Sequence, residues 1–102
     1  MGAKPKYARE FESEWIREYA RDYRPSEVAF EYAPNLLRRA GIDLVQIRNA
    51  FRDGWVVFAD KLDGPGALWI VEGDDGDGRI LCLTLIVETQ IMRVRLRDVE
   101  EA

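Results

Sequence analysis

The spacing of apolar and polar residues changes its period near residue 55. In most of the chain before this point apolar residues recur every three or four positions, whereas after it the apolar residues fall in short runs that are typical of strands. The first spacing is typical of amphipathic helices. We therefore predict an α+β fold, in which an N-terminal amphipathic helix, a short strand and two small helices precede a four-stranded antiparallel meander.

Aromatic residues at every fourth position predict one long helix near the N-terminus. A spacing of i, i+4 places their rings in a single stripe along the helix. Such a stripe is more typical of a core or an interface than of a cofactor site, so Phe11, Trp15 and Tyr19 are candidate partner-binding residues. The stripe comprises Tyr7, Phe11, Trp15, Tyr19 and Tyr23, and the helix is expected to end at Pro25.

A short strand and two short helices are predicted next. Residues Glu27–Tyr32 alternate as a strand does. Pro34 suits the first turn of a helix, and Gly41 is expected to end that helix in a left-handed conformation. Asp43, with a glutamine three residues later, matches a capping box at the start of the second helix. Gly54 is expected to end this helix in the same way as Gly41.

Four β-rich runs joined by short connections predict the antiparallel meander. The stretch Ile80–Val87 is apolar on both faces, which is typical of a central strand that is covered on both sides. Helices can cover one face, and the other needs Trp15 and its neighbours or a second subunit. The four runs are Trp55–Ala59, Ala67–Glu72, Arg79–Glu88 and Ile91–Arg97.

The composition indicates a single globular domain without histidine chemistry. The chain has 102 residues, 47% of them hydrophobic, and no histidine. We expect a disordered tail at residues 1–6 and one α+β domain over 7–102. Without histidine, Ser-His-Asp and Cys-His nucleophile systems and His-ligated metals are excluded. We expect neither a cofactor nor a metal.

Charge and hydropathy restrict the partners. The formal net charge of −4 disfavours broad binding to nucleic acid, so no DNA binding is expected, and RNA binding would depend on local positive charge. No apolar run approaches the roughly 20 residues that span a bilayer, and no signal peptide is recognisable. We therefore expect a cytoplasmic location and no membrane contact.

Arg93, Arg95 and Arg97 form the clearest candidate for phosphate recognition. They alternate with apolar residues, and a period of two places the three guanidinium groups on one face of a strand. Guanidinium groups in a row can hold phosphates without a metal. Acidic residues on both sides of the stretch favour a different interpretation, a solvated sheet face with cross-strand ion pairs. The candidate carboxylates for such pairs are Asp60, Glu72 and Glu88.

A cluster of three aspartates and the single cysteine could each suggest a chemical site, but their sequence context favours structural roles. Asp74, Asp75 and Asp77 are the kind of ligands that calcium prefers, but Arg79 stands where an EF-hand ligand is expected. We interpret this cluster as a solvated hairpin turn. Cys82, the single cysteine, is predicted to be a small buried apolar residue within a strand.

Two short motifs carry a resemblance that covers about residues 28–99. The first is the strand Val28–Ala33, followed by Arg39-Ala40-Gly41-Ile42 before a capped helix. The second is Asp77-Gly78-Arg79-Ile80-Leu81, a turn that enters an apolar strand. Together they resemble a small bacterial family of unknown function that is allied to the BrnT and RelE toxins. The family usually has histidine where this chain has Tyr32, and it lacks Ala40.

The resemblance implies a RelE/BrnT-like fold and two alternative functions. RelE-like toxins cleave RNA without a metal by means of arginine, lysine and tyrosine. On that analogy the candidate catalytic residues are Tyr32, Arg79, Arg93 and Arg95, and Arg93, Arg95 and Arg97 would bind RNA. Because the histidine is missing, we favour a domain that acts without catalysis through protein contacts. Its partner would be a second copy bound through the aromatic helix or a small antitoxin-like protein, and a metal-independent ribonuclease is the alternative.

Overall fold

The computed structural model describes residues 8–22 and 30–102, which form three α-helices and five β-strands. The predicted α+β class is confirmed. The tail at 1–6, Tyr7, Tyr23, Pro25 and residues 27–29 of the predicted strand lie outside the described residues. The elements are α1 (Glu10–Asp22), β1 (Phe30–Tyr32), α2 (Pro34–Ala40), α3 (Leu44–Asp53), β2 (Trp55–Lys61), β3 (Ala67–Asp74), β4 (Ile80–Glu88), a 3₁₀ turn (Thr89–Ile91) and β5 (Arg93–Glu101).

The sheet is mixed and five-stranded, so the predicted four-stranded antiparallel meander does not match exactly, because the short strand β1 joins it as a parallel fifth strand. Its strand order is β1-β5-β4-β3-β2. Strands β2 to β5 pair antiparallel in sequence, whereas β1 pairs parallel with β5, Glu31 lying opposite Arg95. Helices α2 and α3 carry the chain from β1 to the opposite edge of the sheet. A connection of this kind is what allows two strands to run parallel.

Two irregularities interrupt the regular pairing of the sheet. In β2 the register shifts between Val56 and Phe58, and in β5 Leu96 pairs with Leu85 while Asp98 pairs with Thr84. Each shift leaves one extra residue on its strand, as in a β-bulge. Arg97 is the extra residue of β5. It therefore does not continue the strict alternation that the sequence suggested for the three arginines.

All three helices pack on one face of the sheet, which we call the covered face. Alternate residues of the strands point into this layer and are buried, as a period of two requires. The helices contribute aromatic and aliphatic side chains to the same cluster. The buried strand residues are Val56, Trp69, Val71, Leu81, Leu83, Leu85, Val87, Val94, Leu96 and Val99, and the helical ones include Ile16, Tyr19, Leu36, Leu37, Ile47 and Phe51.

The aromatic stripe of α1 does not form one buried face. Tyr19 is fully buried against Phe51, Trp15 is half-buried with its ring 5.5 Å from that of Trp69, and Phe11 is 74% exposed. Residues four apart drift by about 40° around a helix, so Phe11 and Tyr19 face different directions. Because Trp69 belongs to the covered face, Trp15 does not cover the other face of the sheet.

The predicted caps of α2 and α3 are confirmed, except at Gly54. Gly41 has φ of 68° and donates its N–H to the Arg38 carbonyl at 3.2 Å. The Asp43 side chain accepts from the Gln46 N–H at 2.9 Å, and the Gln46 side chain accepts from the Asp43 N–H at 2.9 Å. Gly54, in contrast, is extended, with φ of −93°. The expectation of a left-handed Gly54 is wrong.

Helix α3 approaches the sheet so closely that two positions require glycine. A methyl group on Gly73 would collide with the backbone carbonyl of Ala50. A methyl group on Gly54 would meet the same carbonyl and lie 2.8 Å from that of Glu72. These glycines are thus required by space rather than by a positive φ, and they let Ala50 and Phe51 pack directly on β3.

Gly73→Ala is expected to lower the free energy of unfolding by about 1–3 kcal/mol, because α3 must move to admit the added methyl group. Urea denaturation followed by circular dichroism measures this change. Gly64→Ala is the matched control, since no atom lies within 4 Å of its new methyl group. Equal stabilities of the two variants would contradict the close approach of α3 to β3.

Candidate functional site

Two of the predicted site arginines are held by one carboxylate. Arg93 donates from Nη2 and Nε to Glu31 Oε2 at 2.7 and 3.1 Å, and Arg95 donates from Nε to Glu31 Oε1 at 3.2 Å. The hydrogen bond from Arg93, together with Arg95, lowers the pKa of Glu31. An ionised Glu31 therefore occupies Nε and Nη2 of Arg93 and Nε of Arg95, and its negative charge opposes the binding of a phosphate there.

The other cross-strand contacts agree in part with the predicted ion pairs. Arg93 also lies 3.6 Å from Glu88, one of the three carboxylates expected to pair with the arginines. Arg97 is exposed and forms no ion pair with any residue in the described ranges. The sequence did not reveal Glu31 as the main partner, because its position depends on the parallel pairing of the short strand β1 with β5.

The four candidate catalytic residues do not come together. Tyr32 packs against the hydrophobic core on the covered face, its ring 5.6 Å from that of Phe30, whereas Glu31 and Arg95 lie on the other face. Arg79 precedes the start of β4, and Arg93 lies beside its last residue, Glu88. Because β4 has nine residues and Arg79 precedes it, these two arginines are separated by roughly 30 Å along the strand.

Asp75 is fully buried, so the interpretation of the three aspartates as a solvated hairpin turn is corrected at this residue, while Asp77 is exposed as that interpretation requires. The Asp75 carboxylate accepts from the Asp77 N–H at 2.7 Å, from Arg79 Nε at 3.0 Å and from Gln46 Nε2 at 3.0 Å. These bonds, with that from the Asp77 backbone first, lower the pKa of Asp75 to about 2. Asn49 also donates to the Asp75 carbonyl at 3.1 Å. Arg79 thus has a structural partner, and this loop is fastened to α3.

The face of the sheet opposite the helices carries apolar side chains, and we call it the open face. None of these side chains belongs to the core cluster, and no described helix packs on them. They are neighbours across the strands, because Phe58 pairs with Ile70, Ile70 with Thr84, and Leu68 with Ile86. Phe58 is 44% exposed and the others are half-buried. Within the described part of the chain, neither Trp15 nor another helix residue covers this face of β4, and cover by a second subunit stays a prediction.

Carboxylates gather at one end of the open face, around Cys82. Cys82 is half-buried there, beside Glu72 and Glu100, which pair with it across the strands. Burial raises the pKa of the Cys82 thiol, and the negative charges of Glu72, Glu100 and Asp98 raise it further. Cys82 is thus a poor nucleophile at neutral pH. Its predicted burial as a core residue is corrected, because it lies on the open face.

A shallow groove lies between the start of α1 and the connections at one end of the sheet. Its volume is about 450 Å³, and Phe11, Trp69 and Ile91 are among the apolar residues that line it. Phe11 is the most exposed of the three residues predicted to contact a partner, and Trp15 is half-buried. Tyr19 belongs to the core, so its side chain is not accessible at the surface.

Comparisons with known proteins found no matching family model, no matching curated protein and no matching solved structure. Among the described helices, none is long and apolar enough to cross a bilayer. Within residues 8–22 and 30–102, no three cysteine, aspartate or glutamate side chains are arranged to hold a metal ion. The geometry of the two sheet faces therefore provides the grounds for a functional proposal.

Asp75→Asn is expected to lower the melting temperature at pH 7 by about 10 °C, because an amide cannot replace the ionised carboxylate in these hydrogen bonds. The lowered pKa means that ionised Asp75 stabilises the fold above about pH 4 and that this contribution is lost as the pH falls towards 2. Thermal melts from pH 7 to pH 2 should show the difference from the wild type shrinking in that window.

Asp77→Asn is the matched control, because the Asp77 side chain is exposed and only its backbone N–H contacts Asp75. We expect it to change the melting temperature by less than about 3 °C at any pH. An Asp75→Asn variant that melts with the wild type at pH 7 would contradict the structural role of Asp75.

Proposed function

We propose that this chain is a protein-interaction domain that binds through the open face of its sheet and acts without catalysis. The observation that carries this proposal is a patch of apolar side chains on a face that no described helix covers. The patch consists of Phe58, Leu68, Ile70 and Ile86. A contiguous patch of apolar side chains that remain partly exposed and are bordered by charges is typical of protein–protein contact surfaces.

The dimensions of the open face suit a modest interface. Strands β2 to β5 have seven to nine residues and β1 has three, so a strand spacing of about 4.8 Å gives a face of roughly 20 by 25 Å. A partner that covered it would bury on the order of 1,000 Å² in total, near the lower limit for specific complexes. Because association costs several kcal/mol in lost freedom, we expect a micromolar dissociation constant.

The arrangement of the arginines supports a role without catalysis. A ribonuclease would need Tyr32 and the arginines around one scissile phosphate, but Tyr32 lies on the covered face and Arg79 at the far end of β4. Arg93 and Arg95 are engaged by Glu31. Phosphate recognition would first have to displace an ionised carboxylate. Metal-independent cleavage of RNA therefore stays the less favoured function.

The likeness to the BrnT- and RelE-allied family is part of this proposal. It rests on the two short motifs, the capped helix after Gly41 and the turn from Asp77 into β4. In such a domain, the loss of the usual histidine at Tyr32 would leave the sheet as a scaffold for contacts. A small antitoxin-like protein is one class of partner that the open face could bind.

A photo-crosslinker tests which face binds a partner. With benzoylphenylalanine in place of Phe58, we expect a crosslinked protein adduct in living cells, identified by mass spectrometry. The same label in place of Val45, which is 66% exposed on α3, is the matched control and should give none. The identified partner, once purified, should bind the wild type, and Ile70→Glu should raise its dissociation constant at least tenfold.

Two outcomes would contradict the proposal. One is a crosslinking result that does not distinguish positions 58 and 45, whether both give the same yield or neither gives an adduct. The open face would then not be the preferred contact surface. The other is cleavage of RNA by the purified protein in EDTA that Arg93→Ala abolishes, because the arginines would then be catalytic. Intact RNA after long incubation is the expected result.

A further inference from the structure

Strand β5 has opposite charges in its two halves. Arg93, Arg95 and Arg97 occupy its first half, and its second half carries Asp98, Glu100 and Glu101. We propose that the occupant of the open face is a second copy of this chain, with the two β5 strands antiparallel across the interface. This inference rests on the proposed function and adds the identity of the partner.

The charges that remain after pairing within the chain are complementary between two copies. In the first half, Glu31 and Glu88 offset only part of the charge of the three arginines. In the second half, Asp98 and Glu100 form no ion pair with any cation of the described residues, and both raise the pKa of Cys82 by their negative charge. Arginines of another copy would relieve this accumulation of like charge.

The register of the sheet shows how two open faces would fit. Arg95, Ile86 and Leu68 form one row across the strands, and Asp98, Thr84 and Ile70 form the next. Consider a two-fold axis that lies between the two facing sheets and runs across the strands, midway between these two rows. It places the first row of one copy opposite the second row of the other copy. Leu68 then faces Ile70 of the partner subunit. Isologous contacts of this kind close a dimer without leaving a free site.

The same axis brings opposite charges of β5 together. Arg95 faces Asp98 of the partner subunit, and Arg93 faces Glu100 of the partner subunit. Each contact occurs twice because of the symmetry. Arg95 keeps Nη1 and Nη2 for its contact, since it uses only Nε toward Glu31, whereas Arg93 already contacts both Glu31 and Glu88 within its own chain.

Self-association through the open face agrees with the hydrogen bonding at the edge strand β2. At β2 the Val56 carbonyl accepts from the Arg9 N–H at 2.7 Å, and the Val56 N–H donates to Ser13 Oγ at 2.7 Å. Arg9, just before α1, and Ser13 of α1 therefore satisfy the backbone groups of Val56 that an added strand would use at this point of the edge. Addition of a second copy to this edge is hindered, whereas the open face is accessible.

Complementary charge reversals provide the test. We expect wild-type protein to show a monomer–dimer equilibrium in sedimentation equilibrium runs between about 1 and 500 μM. Arg95→Glu and Asp98→Arg should each weaken self-association at least tenfold, because each creates two repulsive contacts. An equimolar mixture of the two variants should associate at least tenfold more tightly than either variant alone, since both contacts become attractive in the heterodimer.

The control is the pair Arg52→Glu and Asp53→Arg on α3, both exposed and remote from the open face. These variants should dimerise as the wild type does, and mixing them should change nothing. Circular dichroism of all four variants checks that each keeps its fold. Tight association of Arg95→Glu with Asp98→Arg would show independently that these two variants are folded.

The outcomes separate this inference from the proposed function. A wild-type chain that stays monomeric at 500 μM, or charge variants that do not associate when mixed, would overturn the inference of a second copy. If the crosslinker at position 58 then captures a different protein, the proposed function stands with another partner. If it captures nothing, the proposed function falls as well.

Discussion

The close contact between α3 and the β3–β4 hairpin is the constraint on which the rest of the structure depends. Gly73 and Gly54 allow the backbone of α3 to lie directly on the sheet, and Asp75 fastens the hairpin loop to the same helix through Gln46. A carboxylate that is buried is tolerated only when its hydrogen bonds are satisfied, and here backbone and side-chain donors supply them. This contact commits one face of the sheet to the helices.

Because the helices pack on the covered face, the open face of the sheet is available for contact with a partner. Strand β4 shows the consequence most clearly, because Leu81, Leu83 and Leu85 are fully buried while Thr84 and Ile86 between and beside them remain half-buried. A strand that is apolar on both faces is normally covered on both, but here helices cover only one face of the sheet. The functional proposal follows from this uncovered face, and the charge pattern of β5 adds the identity of the partner.

The sequence predicted what depends on near neighbours along the chain. The capping box at Asp43, the left-handed Gly41 and the existence of strand β4 are encoded within a few residues, so turn chemistry and the run of β-forming residues revealed them. Contacts between distant segments were missed. Glu31 meets the arginines only because β1 pairs parallel with β5, and Asp75 is buried only because α3 lies above its loop. The bulge at Arg97 likewise depends on pairing with β4.

The central claim is that two open faces meet in an antiparallel arrangement. A sample prepared from equal amounts of isotopically labelled and unlabelled protein separates contacts between copies from contacts within one copy. Isotope-filtered nuclear Overhauser spectra of this sample should show contacts between the methyl groups of Leu68 and Ile70 in different copies. Their absence in a sample that sedimentation shows to be dimeric, or contacts that arise from Phe11 and Val45 instead, would contradict the account.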